Sequence, residues 1–220
     1  MKFHIIFDNL TYLLRATGVT VKITLYAFIV AVFLAFCIGT LRSRKNLAPI
    51  ISWMLSFYIE VFRGTPLLIQ LFFIYYGLPS IGLNMSSFTA AVVGLSLNSA
   101  AYMAEIIRAS LLSVDKGQEK AAYVLGYSNL QTLFHIIYPQ AIRIALPSLM
   151  NAFSTLLKES SLISVLAITE LTRSGQLIYT RTYRAFEIYL TLGLIYFLLT
   201  YSVSQISKQI EKRVSIAYED

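Results

Sequence analysis

Four consecutive polar residues interrupt a long apolar segment, and their side chains are the first candidates for chemistry. They are Lys158, Glu159, Ser160 and Ser161. A charged side chain in hydrocarbon is costly, and polar breaks in spanning helices are typical of substrate sites in transporters. The alternative is a Lys–Glu pair that neutralises itself at a helix kink. The pattern therefore predicts either a substrate path or a neutralised kink at this position.

Two further polar groups have helical spacing within apolar segments. Glu60 and Arg63 are three residues apart, so they share a helix face and can pair. Asn98, Tyr102 and Glu105 follow at i, i+4 and i+7 and form a polar stripe. Such side chains should face protein or water rather than lipid. For both groups, structural pairing between or along helices and a role in a translocation path remain open.

The composition indicates an integral membrane protein. Of 220 residues, 57% are hydrophobic and 13% are charged, whereas a soluble domain carries about 25% charged residues. The net charge of +7 is explained by basic residues that flank membrane spans. No basic cluster with interleaved aromatic residues is present, so we do not expect a nucleic-acid partner.

The same sequence argues against several classes of enzyme. The single cysteine, Cys37, excludes a disulfide framework, and the two histidines, His4 and His135, are isolated. No phosphate-binding loop of the Gly-x-x-x-x-Gly-Lys-Ser/Thr type is present, nor a protease or hydrolase motif. We therefore predict no catalytic residues, no metal site and no cofactor in this chain.

The apolar segments predict an all-α protein with about five transmembrane helices and one membrane domain over residues 1–220. Residues 1–18 mix polar and apolar side chains and predict an amphipathic helix at the membrane interface. Pro66 should loosen the second span. The predicted spans are 19–41, 52–78, 88–107, 144–168 and 188–206.

The distribution of basic residues predicts an outside N-terminus and a cytosolic C-terminus. With the loop after the first span placed in the cytosol, the inside carries ten basic residues and the outside six. Three of the outside ones oppose the bias: Arg173, Arg181 and Arg184. The ten inside are Arg42, Arg44, Lys45, Arg108, Lys116, Lys120, Arg143, Lys208, Lys212 and Arg213, and the other three outside are Lys2, Arg15 and Lys22.

A polar insert at residues 117–139 separates long apolar segments and is cytosolic in this topology. Two alanines, Ala121 and Ala122, stand five and four residues before Gly126. Small residues on a helix offer a surface that another protein can approach closely. We therefore interpret the insert as a docking element for a partner outside the bilayer.

In the insert, Ala121, Ala122, Gly126, Ile136 and Pro139 resemble the cytosolic loop motif of permease subunits of bacterial ATP-binding-cassette importers. That motif reads Glu-Ala-Ala, three residues, Gly, nine residues, Ile-x-Leu-Pro. Lys120 stands in place of its Glu and Tyr138 in place of its Leu. Other stretches, from about residue 10 to 210, are similar to the polar amino-acid branch of this family: 60–70, 99–108, 116–118, 138–141 and 158–162.

This resemblance implies a five-span permease of the type I importer kind, with a coupling loop at about 110–142. The implied partners are a separate ATPase subunit that binds ATP and Mg, an external substrate-binding protein and a second permease copy or homologue. The implied substrate is a polar amino acid or a derivative such as cystine, moved across the bacterial cytoplasmic membrane. The implied ATPase-coupling residues are Gly117, Gln118, Glu119, Lys120, Ala121, Ala122, Leu125 and Gly126.

One alternative belongs to a different class. The chain could be a non-transporting membrane anchor, or a channel-like scaffold, for a cytosolic partner. Costly polarity inside a span argues against a scaffold. ATP-dependent, saturable uptake would separate the two.

Overall fold

The computed structural model describes residues 3–44 and 47–216, and regular structure in this part of the chain is helical throughout. Lys2 and Lys45, both part of the charge count, lie outside the described residues, as does the side chain of Arg213. The α-helices are α1 His4–Asp8, α2 Leu10–Ser43, α3 Pro49–Gly64, α4 Leu67–Phe72, α5 Ser87–Ser113, α6 Lys116–Val124, α7 Asn129–Thr132, α8 Tyr138–Glu159, α9 Leu171–Thr182 and α10 Ala185–Ile216.

Shorter helical turns of other types join these helices. A π-helical segment, Phe73–Gly77, and a 3₁₀ turn, Leu78–Ile81, extend α4. A second π-helical segment, Leu133–Ile137, leads from α7 into α8, and the 3₁₀ segment Ser160–Leu166 follows α8. π-helical turns are rare, and each of these two lies where one helix passes into another helical segment. They therefore mark positions at which the regular α-helix is interrupted.

The number of candidate spans agrees with the predicted five. Among the described residues, three helices are long and apolar enough to cross a membrane: Leu10–Ser43, Ser87–Ser113 and Ala185–Lys212. Two bent helix pairs bring the number to five if each pair is one span. The chain is thus a multi-pass membrane protein.

The bounds of the predicted amphipathic interfacial helix over residues 1–18 are wrong. Only α1, His4–Asp8, stands apart, and α2 starts at Leu10 and continues without a break to Ser43. At 1.5 Å per residue its 34 residues span about 50 Å, well beyond the ~30 Å of a hydrocarbon core. Residues 10–18 therefore extend the first span.

The second predicted span, 52–78, is bent sharply. The helix pair Pro49–Gly64 and Leu67–Ile81 turns by 107°. Thr65 is extended, with φ −118° and ψ 147°, as expected for a residue that precedes proline. Pro66 thus ends the helix instead of only loosening it.

The fourth predicted span is also bent, but not at the predicted residues. Helix α8 runs through Lys158 and Glu159, and the helix changes type only at Ser160. The 51° bend falls further on, between Leu166 and Leu171, where Ala167 has a positive φ of 58°. The predicted break within the Lys-Glu-Ser-Ser run is therefore a change from α to 3₁₀ geometry.

Helices α2 and α5 run parallel and form the centre of the fold. Small residues on α2, among them Ala31 and Ala35, are fully buried in the same cluster as Ala100 and Ala104 of α5. At Gly39 a Cβ atom would lie 2.7 Å from the carbonyl oxygen of Ala104. Small residues at this contact let the two backbones approach closely, as is typical of helix packing in membranes.

The two ends of the bundle differ in what they carry. Helix α5 ends at Ser113 and α8 begins at Tyr138, so residues 114–137 lie at one end, here called the loop end. At the opposite end, here called the α9 end, α1 and the beginning of α2 pack against α9 and α10. The buried apolar residues of that cluster are Ile6, Leu13, Leu171, Ile178, Ile188 and Leu192.

Candidate functional site

The loop at 114–137 begins with a well-capped helix. The carboxylate of Asp115 accepts a hydrogen bond from the amide of Gly117 at 2.5 Å, and Glu119 lies in the first turn of α6. Both features favour a helix start, because they satisfy a free N–H group and place negative charge at the positive end of the helix dipole. The predicted coupling residues Gly117, Gln118, Glu119 and Lys120 all lie on this helix and are exposed.

The end of α6 explains Gly126 differently from the sequence interpretation. Gly126 has φ +82°, and a Cβ atom there would meet nothing within 4 Å. The amide of Tyr127 donates to the carbonyl of Ala122 at 3.0 Å, and that of Gly126 donates to Tyr123 at 3.0 Å. These two bonds form a Schellman motif, in which glycine supplies the left-handed residue. Gly126 is therefore needed to end the helix.

The two alanines of the motif differ in exposure. Ala121 is exposed, whereas Ala122 is 1% exposed and packs inside this chain. The surface that the segment offers to another protein therefore excludes Ala122.

Large apolar side chains cover the outer surface of the same segment. Val124 is 88% exposed and Leu125 74%. Large exposed apolar side chains near one another are typical of an interaction site. We call this set the apolar loop surface, and it consists of Tyr123, Val124, Leu125, Leu130 and Phe134.

The second half of the loop is tied into the bundle. Ser128 caps α7 and exchanges hydrogen bonds with Gln131 in a capping box, and Thr132 is buried. Leu133 and Ile137 of the π-helical segment pack against the core cluster that contains Ala35, Ala104 and Leu111. A displacement of the loop is therefore resisted by packed contacts with α2, α5 and α8.

Gln70 organises the broken second span, and sequence reasoning did not single it out. Its side-chain amide donates to the carbonyls of Phe62 (2.9 Å) and Thr65 (3.1 Å) and to the Thr65 hydroxyl (2.8 Å). The Gln70 carbonyl accepts from the amide of Asn98 at 3.0 Å. Backbone groups freed by Pro66 are thus satisfied internally, as a membrane interior requires. The signal in the sequence was a glutamine four residues after a proline.

Asn98 acts as a contact between helices. It is 4% exposed and also donates to the carbonyl of Phe62 at 3.1 Å. Of the two interpretations left open for the polar stripe, this residue fits hydrogen bonding between α5 and the α3–α4 junction.

The predicted Glu60–Arg63 pair is not formed. Among the described residues neither side chain makes an ion pair with the other, and the Arg63 guanidinium lies 5.2 Å from the centre of the Tyr102 ring. Helix α5 packs against α3 near its last turn, so Tyr102 lies beside Arg63. The aromatic face of Tyr102 then replaces the carboxylate as the partner of the cation.

Glu105 is neutralised by two arginines. One carboxylate oxygen contacts the Arg42 guanidinium, and the other accepts from Arg108 at 2.9–3.0 Å. The second amino group of Arg42 lies 3.4 Å from the Ser56 hydroxyl. We call Arg42, Glu105 and Arg108 the ionic triad. It ties the loop end of α2 to α5.

A cavity of about 540 Å³ opens beside these groups. It collects three of the predicted path residues, Arg63, Tyr102 and Glu105, and is lined further by Ile106, Ala109, Ser110, Ser113, Ile144 and Ser148. Glu60 and Asn98 do not line it, and neither do Lys158, Glu159, Ser160 and Ser161. Ser160 is buried and donates to the carbonyl of Leu157 at 2.7 Å. The structure therefore brings together only part of the predicted path.

A second polar centre, at the α9 end, was not foreseen from the sequence. Glu170 is fully buried, and its carboxylate caps α9 by accepting from the amides of Arg173 (2.7 Å) and Thr172 (2.9 Å). The hydroxyl of Tyr196 donates to it at 3.2 Å, and that of Thr20 lies 3.3 Å away. One carboxylate thus joins α2, α9 and α10.

Comparison with known proteins gives the class. Residues 27–216 match the family described as the binding-protein-dependent transport system inner membrane component. The chain belongs to this family, which confirms the predicted resemblance and the all-α fold.

Individual relatives cover nearly the whole chain. The chain is 36% identical to a probable amino-acid ABC transporter permease protein, PatM, of Vibrio harveyi, over 98% of this chain and 97% of the relative. It is 40% identical to the L-cystine transport system permease protein TcyB of Bacillus subtilis, over 89% and 83%. A crystal structure described as an amino acid ABC transporter with histidines matches with a TM-score of 0.89 and 39% identity, over 97% and 99%.

Proposed function

We propose that this chain is the permease subunit of an ATP-driven importer that moves a polar amino acid, or a derivative such as cystine, across a bacterial cytoplasmic membrane. The family membership and the names of the relatives support this. In this proposal ATP and Mg bind to a separate ATPase chain, and an external binding protein delivers the substrate. A second copy of the permease, or a homologue, completes the assembly.

The observation that carries the proposal is the apolar loop surface. Its residues Tyr123, Val124 and Leu125 lie outside the candidate spans, at the end of a helix that is capped at both ends. Leu130 and Phe134 lie at the beginning of the bent helix pair that starts at Asn129. Val124 and Leu125 contribute little to packing within the chain because each is more than 70% exposed. We infer that the predicted coupling segment seats in the ATPase through these side chains, with Lys116, Gly117, Gln118, Glu119, Lys120 and Ala121 at its rim.

The cavity beside α3 and α5 supports a substrate path on the loop side of the bundle. Arg63 has no carboxylate partner among the described residues, so its guanidinium can bind a substrate carboxylate by donating hydrogen bonds to it. Glu105 already has two cationic partners and is less available to a substrate amino group. We propose that Arg63 and Tyr102 contact the substrate and that Glu105 holds the helix ends in place.

Alternating access links the apolar loop surface and the cavity beside α3 and α5 in one mechanism. ATP binding closes the ATPase dimer and displaces the coupling segment, and hydrolysis returns it. The segment is joined to α5 and α8, whose packing with α2 resists local deformation. Because the ATP site and the substrate path belong to one assembly with two conformational states, the free energies of binding at these two sites are coupled.

The test is reconstitution of the chain with its ATPase and binding protein in liposomes. L-Cystine, L-histidine, L-arginine and L-glutamine are supplied one at a time, and ATP hydrolysis and uptake are measured together. We expect one amino acid to stimulate hydrolysis and to accumulate inside. Leu125→Asp should abolish both, and the control Leu125→Met, which keeps the apolar area, should retain both.

Each failure has its own meaning. Binding of the ATPase without uptake of any amino acid would favour the anchor or scaffold. Undiminished stimulation in Leu125→Asp would show that the coupling segment docks elsewhere.

A further inference from the structure

Tyr138 makes an unusual contact at the junction between the loop and α8. It is the first residue of α8, directly after the π-helical segment. Its hydroxyl lies 2.6 Å from that of Thr40, a buried residue near the end of α2, 98 positions earlier in the chain. A hydrogen bond of this length between the hydroxyl of buried Thr40 and that of half-buried Tyr138 holds the beginning of α8 against α2.

Aromatic contacts extend this connection in both directions. The Tyr138 ring lies 5.2 Å from that of Phe134 in the π-helical segment and 6.2 Å from that of Phe36 on α2. Both pairs are tilted or edge-on, which are favoured geometries for aromatic rings. A continuous line of side chains therefore runs from the loop through Tyr138 to α2.

Helix α2 has no covalent link to the loop, in contrast to α5 and α8. At the loop end, α2 is held to α5 by the close contact at Gly39 and by the ionic triad. Toward the α9 end, the Thr20 hydroxyl accepts from the amide of Leu171 at 3.1 Å. Thr20 and Thr40 lie in one unbroken helix, about 30 Å apart along its axis.

We propose that Tyr138 is a positioning residue for coupling, and that its hydrogen bond to Thr40 transmits movement of the loop into α2. Helix α2 then carries this movement along its length to the α9 end. The inference rests on the function proposed above, in which an ATPase displaces the loop. Tyr138 occupies the position where the family motif has leucine, so this chain has a hydroxyl at a place where leucine has none.

The test measures substrate imported per ATP hydrolysed, in liposomes that contain the complete complex and the amino acid found to stimulate it. Tyr138→Phe removes one oxygen atom and keeps the ring. We expect this ratio to fall about three-fold, within the range by which positions along a coupling path modulate coupling, while ATP hydrolysis continues. Thr40→Val should have the same effect, and the double variant should be no worse, because both changes remove one bond.

Two controls separate coupling from stability. Tyr58→Phe removes a hydroxyl that donates to the carbonyl of Leu97 at 2.6 Å, a bond between α3 and α5, and should leave the ratio unchanged. Thr40→Ser keeps a hydroxyl and should also leave it unchanged.

The outcomes are distinct. An unchanged ratio in Tyr138→Phe, with wild type importing normally, would overturn this inference alone. An equal fall in Tyr58→Phe would show a structural role and would overturn it too. A wild-type complex that hydrolyses ATP without importing any amino acid would overturn the proposed function, and this inference with it.

Discussion

The loop end and the α9 end each contain a carboxylate, Glu105 and Glu170, and the two carboxylates are stabilised by different kinds of partner. Glu105 is partly exposed, with 22% of its side-chain surface accessible, and is neutralised by two arginines. Glu170 is fully buried, makes no ion pair within the described residues, and is stabilised by two amides and two hydroxyls. Solvated ion pairs can exchange partners at low cost, whereas a buried hydrogen-bond network cannot.

This difference indicates how each end rearranges. At the loop end, charges lie near water and the adjoining segment exposes its apolar surface. At the α9 end, one carboxylate fixes three helices. We therefore expect side chains at the loop end to exchange partners between transport states, whereas the helices joined by Glu170 at the α9 end should move together as one unit. Three substitutions follow in order of expected effect: one at each end of the bundle and, between them in magnitude, one at the buried hydrogen-bond network of the second span.

The largest effect should come from Glu170→Ala. The change leaves two helix N–H groups without their acceptor in a buried site and removes one partner each from the Thr20 and Tyr196 hydroxyls, which should cost about 3 kcal/mol in the free energy of unfolding. Thermal unfolding of the purified protein in detergent measures it. Glu119→Ala, on the exposed side of α6, is the control and should leave the melting temperature unchanged. Equal melting temperatures for the two variants would contradict the anchoring role of Glu170.

Gln70→Leu should cause a smaller decrease in the free energy of unfolding. Leucine cannot donate to the carbonyls of Phe62 and Thr65 or accept from Asn98. Unsatisfied groups at this bend should cost about 2 kcal/mol in the same assay. Ile69→Ala, on the exposed side of the same helix, is the control. If Gln70→Leu were as stable as the control, the 107° bend would be held by packing alone.

The smallest effect should come from Arg42→Gln. The Arg42 and Glu105 side chains are about one-fifth exposed, and Glu105 keeps its contacts with Arg108. We expect a loss of no more than about 1 kcal/mol, and less as salt is raised. Arg44→Gln, at an exposed residue that makes no ion pair among the described residues, serves as the control. A loss as large as that of Glu170→Ala would mean that the two ends are anchored alike.

Much of the fold was predictable because it depends on local patterns. Five apolar stretches gave the spans, and Pro66 marked the position of the second span's break. The angle was not predictable, since proline removes a hydrogen bond without choosing the new direction of the chain. That direction is held by Gln70 and Asn98, which lie on different helices.

Pairings between side chains were the least predictable part of the candidate site. Glu60 and Arg63 have the right spacing for an ion pair, yet Arg63 lies over the ring of Tyr102, which belongs to another helix. Glu105 was predicted for the substrate path. Its pairing with Arg42 was not predictable, because Arg42 is 63 residues away in the chain, whereas Arg108 is three residues away on the same helix. No local sequence pattern around Glu170 predicts that its carboxylate accepts hydrogen bonds from three helices.

The sequence by itself determined the class of protein, the number of spans and the position of the exposed loop, because composition, apolar run length and motif spacing are local properties. The tertiary structure decided which polar groups meet. It paired Glu105 with two arginines, gave Gly126 the role of ending a helix, and placed the hydroxyl of Tyr138 against that of Thr40. Such contacts depend on how helices distant in sequence pack, which spacing along one helix does not specify.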